Sequence, residues 1–167
     1  MFDPVRICEI LVEENVEFVV LGGFAAIVRG SSLPTQDIDV IPSRGKSNLD
    51  RLGRALTRMN ARIRIDGDSV PTKIDGSFLE NVPHTLNIVT DFGEMDLTFT
   101  PAGSTGEFNG WRQNATAEEI EEGLMVFVAS LDDIIDSKRA ANRPKDQMAL
   151  PYLESLRDEI RRRENES

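Results

Sequence analysis

Asp37 and Asp39 stand one residue apart in the run Asp37-Ile38-Asp39-Val40-Ile41, which reads as a strand. Side chains two apart on a strand share a face, so both carboxylates point one way while Ile38 and Val40 point the other. The apolar reverse face can pack against helices. Two adjacent carboxylates repel and lose hydration unless a cation joins them, and Mg²⁺ favours such oxygen ligands while leaving sites for substrate phosphates. A second run, Glu94-Met95-Asp96-Leu97-Thr98-Phe99, alternates in the same way. If it lies beside the first strand in the right register, Asp96 joins Asp37 and Asp39. Such a triad could hold two Mg²⁺ ions about 3.5–4 Å apart, the separation used for in-line phosphoryl displacement. One ion would grip a triphosphate, the other would activate an acceptor hydroxyl, and Asp96 would serve as metal ligand and candidate general base.

Gly22-Gly23 precedes the Asp-x-Asp pair by thirteen residues, at a strand-to-helix junction. Glycine there lets the backbone approach a ligand closely, or simply makes a tight turn. Neither a dinucleotide fingerprint nor a P-loop is present, since no G-x-G-x-x-G and no Gly-Lys-Ser/Thr follows. Asp91-Phe92-Gly93 matches a kinase tripeptide, but the glycine-rich and His-Arg-Asp loops of kinases are missing.

The elements that must carry these residues follow from periodicity. Asp3-Pro4 opens a helix running to about Glu14, and Glu17 to Leu21 reads as a buried strand. A short helix over Phe24 to Val28, a loop over Arg29 to Thr35 and the strand Asp37 to Ile41 come next. Asn48 to Ala61 is an amphipathic helix. Arg62 to Ile65 is a candidate strand and Ile74 to Leu79 a candidate short helix. Thr85 to Thr90 and Glu94 to Thr100 form two strands joined by a tight turn. Residues 101 to 117 read as one long loop, either functional or a surface excursion pinned by Trp111. Leu124 to Ala129 is the last strand; Ser130 caps a following helix, and Pro144 starts a final one. The order describes an α/β or α+β domain with a mixed sheet.

Composition narrows the rest. With 167 residues and 40% hydrophobic content the chain suits one domain with a real core. The net charge of −10 argues against non-specific nucleic-acid binding. The lone cysteine, Cys8, excludes an internal disulfide and reads as a small buried hydrophobe. His84 has no Cys or His partner nearby in sequence and reads as a surface or packing residue. No apolar run is long enough to span a bilayer and no signal segment is visible, so a cytoplasmic protein is expected.

Taken together, Gly22-Gly23-Phe24-Ala25, Thr35-Gln36-Asp37-Ile38-Asp39 and Gly93-Glu94-Met95-Asp96 resemble the nucleotidyltransferase superfamily, the polymerase-beta-like fold. The run from Ser130 through Lys138 to Arg143-Pro144-Lys145-Asp146 narrows the resemblance to small AbiEii-type toxin nucleotidyltransferases. Chain length and the polar terminus predict a single domain over residues 1–163, with 164–167 a frayed end. The resemblance implies Mg²⁺ on Asp37, Asp39 and Asp96, a triphosphate pocket shaped by Gly22, Gly23 and Thr35, phosphate contact by Lys138, and support from Asp146. It also implies transfer of a nucleoside monophosphate from an NTP to an acceptor hydroxyl on a tRNA end, a protein or a small molecule, with an antitoxin protein as a candidate partner. Leu33 stands where many relatives carry Arg, with Arg29 or Arg44 as candidate replacements. The rival readings are a catalytically silent nucleotide- or protein-binding module and an antibiotic-modifying nucleotidyltransferase.

Overall fold

The computed structural model describes all residues from Met1 to Ser167. Helix α1 (Pro4–Glu13) begins where Asp3 accepts a hydrogen bond from the Arg6 backbone N–H at 3.0 Å, the N-cap the sequence predicts. Strand β1 (Phe18–Leu21) is wholly buried and leads directly into α2 (Gly22–Val28). Strand β2 (Asp37–Pro42) carries the Asp-x-Asp pair, and α3 (Lys46–Arg58) is the predicted amphipathic helix. Then come β3 (Arg62–Ile65), β4 (Asp68–Val70), α4 (Gly76–Glu80), β5 (Thr85–Thr90) and β6 (Gly93–Thr98). The chain ends with α5 (Phe108–Asn114), β7 (Thr116–Glu121), β8 (Leu124–Val128), α6 (Leu131–Ala141) and α7 (Pro144–Glu166).

These elements make one mixed α/β domain with an eight-stranded sheet in the order β4-β3-β5-β6-β2-β1-β8-β7. β2 runs antiparallel to β1 and parallel to β6. Alternation along the central strands does the sorting. Ile38, Val40, Met95, Leu97 and Ile88 are all fully buried in one core of 33 residues, leaving Asp37, Asp39 and Asp96 to the opposite face. A smaller apolar cluster of Ala26, Ile135 and Leu153 joins α2, α6 and α7 beside those carboxylates.

Two parts of the chain depart from the sequence reading. Residues 101 to 117 are not a single loop, because α5 and the start of β7 lie within them. Trp111 is fully buried and donates its indole N–H to the Gly106 carbonyl at 3.1 Å, so it pins the segment as one of the two readings expected. β7 and β4 were not foreseen because they are edge strands. β7 bears Glu118, Glu119 and Glu121, and all of β4 is exposed, so neither has an apolar face to betray it. Along α7, Glu159 pairs with Arg163 and Arg162, Arg162 also with Glu166, and Asp158 with Arg157. Helix α7 continues to Glu166. No helix is long and apolar enough to cross a membrane.

Candidate active site

The parallel register of β2 and β6 pairs Asp39 with Asp96 and Asp37 with Glu94. One carboxylate oxygen from each of Asp37, Asp39 and Asp96 therefore lies within 4.8 Å of the others. All three side chains are partly buried; Arg64 Nη2 approaches Asp96 Oδ1 to 3.4 Å, and neither Asp37 nor Asp39 forms a salt bridge. Burial, reinforced by Asp37 and Asp96, pushes the Asp39 carboxyl up to about 7. Burial and Asp37 push Asp96 up to about 6, against the opposing pull of Arg64.

The glycine pair is shaped by this cluster. Gly22 has φ +71°, and a Cβ there would collide with the Asp39 carboxylate. A Cβ at Gly23 would lie 2.9 Å from the Thr35 hydroxyl. Thr35 in turn donates to the Asp37 carbonyl at 3.1 Å. Gly22, Gly23, Thr35 and the Asp37–Asp39 pair thus form one continuous packed unit, reached from two separate stretches of sequence.

A cleft of about 680 Å³ opens over the carboxylates. Its sheet wall continues from Asp96 into the neutral polar side chains Thr85, Asn87, Thr98 and Thr100. Its helix wall carries Lys138, Arg143 and Lys145, with the apolar Met148 and Leu153 beyond them. Asn142 ends α6 in the left-handed conformation, and Pro144 starts α7, so the chain doubles back there. That reversal brings Lys138 Nζ within 3.6 Å of Asp146, although the two stand eight residues apart. Asp146 is completely buried behind the cleft wall. It accepts from the Arg143 backbone N–H at 3.1 Å and from Arg143 Nε at 2.7 Å. Burial raises its carboxyl, but these bonds together with Arg143 and Lys138 outweigh that and hold it below its ordinary range. Its carboxylate thus anchors Lys138 and Arg143 as well as capping α7.

Other expected cations lie elsewhere. Arg29 is spent on Glu118 at 2.7 Å and on the Val128 and Ala129 carbonyls, tying α2 to β7 and β8. Arg44 donates to the Pro83 carbonyl and stacks 4.1 Å from the Phe99 ring. Neither lines the cleft, so neither replaces the Arg missing at Leu33. Arg139 pairs with Glu154 at 2.6 Å and also stays outside. His84 is exposed and bonds Thr100, as a surface residue would. Cys8 is buried in the core, which pushes its thiol up to about 12.

Sequence reasoning missed Arg64, Lys145 and the polar strip on β5 and β6. The strip had a signal, since Thr85 and Asn87 alternate with Leu86 and Ile88. Arg64 had only the alternation of Arg62-Ile63-Arg64-Ile65, which does not reveal what lies opposite.

This arrangement recurs at the level of fold in solved nucleotidyltransferases. The lincosamide antibiotic adenylyltransferase LnuA, solved with lincomycin bound, superposes with a TM-score of 0.61 at 13% identity, covering 92% of this chain and 95% of that one. ANT(2″)-Ia in complex with adenylyl-2″-tobramycin superposes with a TM-score of 0.56 at 17% identity, covering 96% of this chain and 95% of that one. The chain therefore has a nucleotidyltransferase-like fold over nearly its whole length. No protein-family model matches the sequence, and no curated protein matches it.

Proposed function

We propose that this chain is a Mg²⁺-dependent nucleotidyltransferase that moves a nucleoside monophosphate from an NTP to an acceptor hydroxyl. The observation that carries the reading is the convergence of Asp37, Asp39 and Asp96 beneath a cleft whose other wall is cationic. The donor set fits a hard divalent ion: the oxygens are close, partly buried and mutually repelling, so a cation would relieve them. Bound there, Mg²⁺ would polarise the reacting phosphoryl group and acidify the acceptor hydroxyl.

The chain's own residues divide the remaining work. Lys138, Arg143 and Lys145 take up triphosphate charge, which totals about four negative charges near neutral pH. Gly22 and Gly23 let the backbone approach the phosphates, with Thr35 fixing the strand beside them. Asp146 holds Lys138 and Arg143 in position. The acceptor lies against the sheet wall of Thr85, Asn87 and Thr98, next to Asp96. Its hydroxyl oxygen bonds to the α-phosphorus, the bond from that phosphorus to the β-phosphate bridging oxygen breaks, pyrophosphate leaves, and the hydroxyl proton passes to Asp96.

A small-molecule acceptor is favoured over a tRNA end or a protein. The cleft is of ligand size, its sheet wall is neutral, and the net charge of −10 repels a phosphate backbone. The antibiotic-modifying reading shares this support.

The test is transfer from α-labelled NTP, with Mg²⁺, first to small molecules from a cell extract and then to lincomycin and tobramycin. Asp39→Asn is the control. Labelled product with pyrophosphate release supports the reading. NTP binding without transfer or pyrophosphate release under any condition would instead identify a catalytically silent nucleotide-binding module.

A further inference from the structure

We propose that Arg64 is a resident cation of the carboxylate cluster, which competes with a divalent metal for Asp96 and thereby couples metal loading to NTP binding. The proposal rests on the reading that the cluster holds metal.

Arg64 lies on β3, two strands away from Asp96, and the sheet register aligns them. Arg62 pairs with Val89, and Val89 pairs with Glu94. Arg64 shares the face of Arg62, and two residues along the ladder Asn87 pairs with Asp96, which pairs with Asp39. Asn87 is short and uncharged, so the long guanidinium reaches over it. Arg64 makes an ion pair with Glu94 through Nη1 and approaches Asp96 Oδ1 to 3.4 Å through Nη2. The side chains of Arg64 and Asp96 are only 25% and 17% exposed, so water screens their attraction only in part. Glu94 anchors one arm of the guanidinium fork and keeps the other on Asp96.

The charge geometry gives this residue a separate role from the cations across the cleft. Lys138, Arg143 and Lys145 stand on the helix wall, whereas Arg64 approaches from the sheet side and touches a proposed metal ligand directly. A divalent ion and the guanidinium would draw on the same carboxylate and repel each other. Free metal therefore gains less at this site than a bare triad would offer. A triphosphate brings enough negative charge to offset that repulsion. The cluster should load metal readily as a metal–NTP pair and poorly as a free ion.

The experiment measures Mn²⁺ binding by water-proton relaxation on the full chain, without nucleotide and with a non-hydrolysable ATP analogue. Arg64→Gln, which keeps length and hydrogen bonding but removes the charge, is compared with the unmodified protein. Without nucleotide, Arg64→Gln should bind Mn²⁺ about five- to tenfold more tightly, the size expected for a unit charge a few ångströms away in a half-screened site. With the analogue the gain should shrink to less than about twofold. Arg64→Lys keeps the charge and should stay within about twofold of the unmodified protein, with matching circular dichroism for all three. Unchanged or weaker Mn²⁺ binding by Arg64→Gln without nucleotide would overturn the proposal. If none of the proteins binds Mn²⁺ even with the analogue, the metal reading of the cluster fails, and this proposal falls with it.

Discussion

The sheet wall and the helix wall of the cleft each hold an aspartate, and the two carboxyls are shifted in opposite directions. Asp39 on β2 is partly exposed, and its carboxyl is pushed up to about 7 by burial and by the carboxylates Asp37 and Asp96. Asp146 on α7 is completely buried, yet Arg143 and Lys138 hold it below its ordinary range. Burial raises both; the neighbours decide the outcome. A buried carboxylate that brings its own cations is part of the scaffold. One set among other carboxylates is a charge waiting for a ligand.

The sharpest way to break this contrast is Asp39→Asn. Transfer should fall by about 10³-fold, the scale of losing a principal stabiliser of the transition state, as measured with labelled NTP. The same substitution should raise the melting temperature in EDTA, because a repelling charge is gone, and abolish the rise that Mg²⁺ with NTP otherwise produces by mass action. If Asp39→Asn kept the full ligand-dependent shift, Asp39 would not be a ligand.

Asp146→Asn should do the reverse to stability. It removes the counter-charge of Lys138 and of the half-exposed Arg143 and weakens their charge-assisted hydrogen bonds, and should cost about 2 kcal/mol in urea denaturation. A neutral or stabilising result would show that Asp146 is not a buried ion-pair centre. Lys138→Ala should leave the fold intact but weaken NTP binding about tenfold, or about 1.4 kcal/mol, read by titration calorimetry. Unchanged NTP affinity and turnover would reduce Lys138 to a counter-ion of Asp146.

The remaining expected effect is on pH. In EDTA, Asp39 and Asp96 hold their protons to about 7 and about 6, above the ordinary value of 3.8. The folded state then binds more protons than the unfolded chain between these values, so this contribution to stability is full below pH 3.8 and is lost as pH rises through 6 to 7. Melting curves at pH 5.5 and 8 should show this decline, and saturating Mg²⁺ with NTP should reduce it. A pH-independent difference between the wild type and Asp39→Asn would contradict the raised titration of Asp39.

What was legible in the residues was local. Alternation alone put Asp37 and Asp39 on one face of β2 and Ile38 and Val40 on the other, because strand sterics repeat every two residues. Asp3, Ser130 and Pro144 marked helix starts through capping chemistry that acts within one turn. The mixed sheet followed from the order of these elements. Tertiary structure alone decided which distant residues meet. The β2–β6 register brought Asp96 to Asp39, and β3 pairing aimed Arg64 at both Glu94 and Asp96. The reversal at Asn142 put Lys138 on Asp146, and bonds to Glu118 and to the Val128 and Ala129 carbonyls took the Arg29 side chain away from the cleft. Backbone sterics act between chain neighbours and can be read from them. Charge pairing across a sheet depends on register and strand order, which the whole core selects.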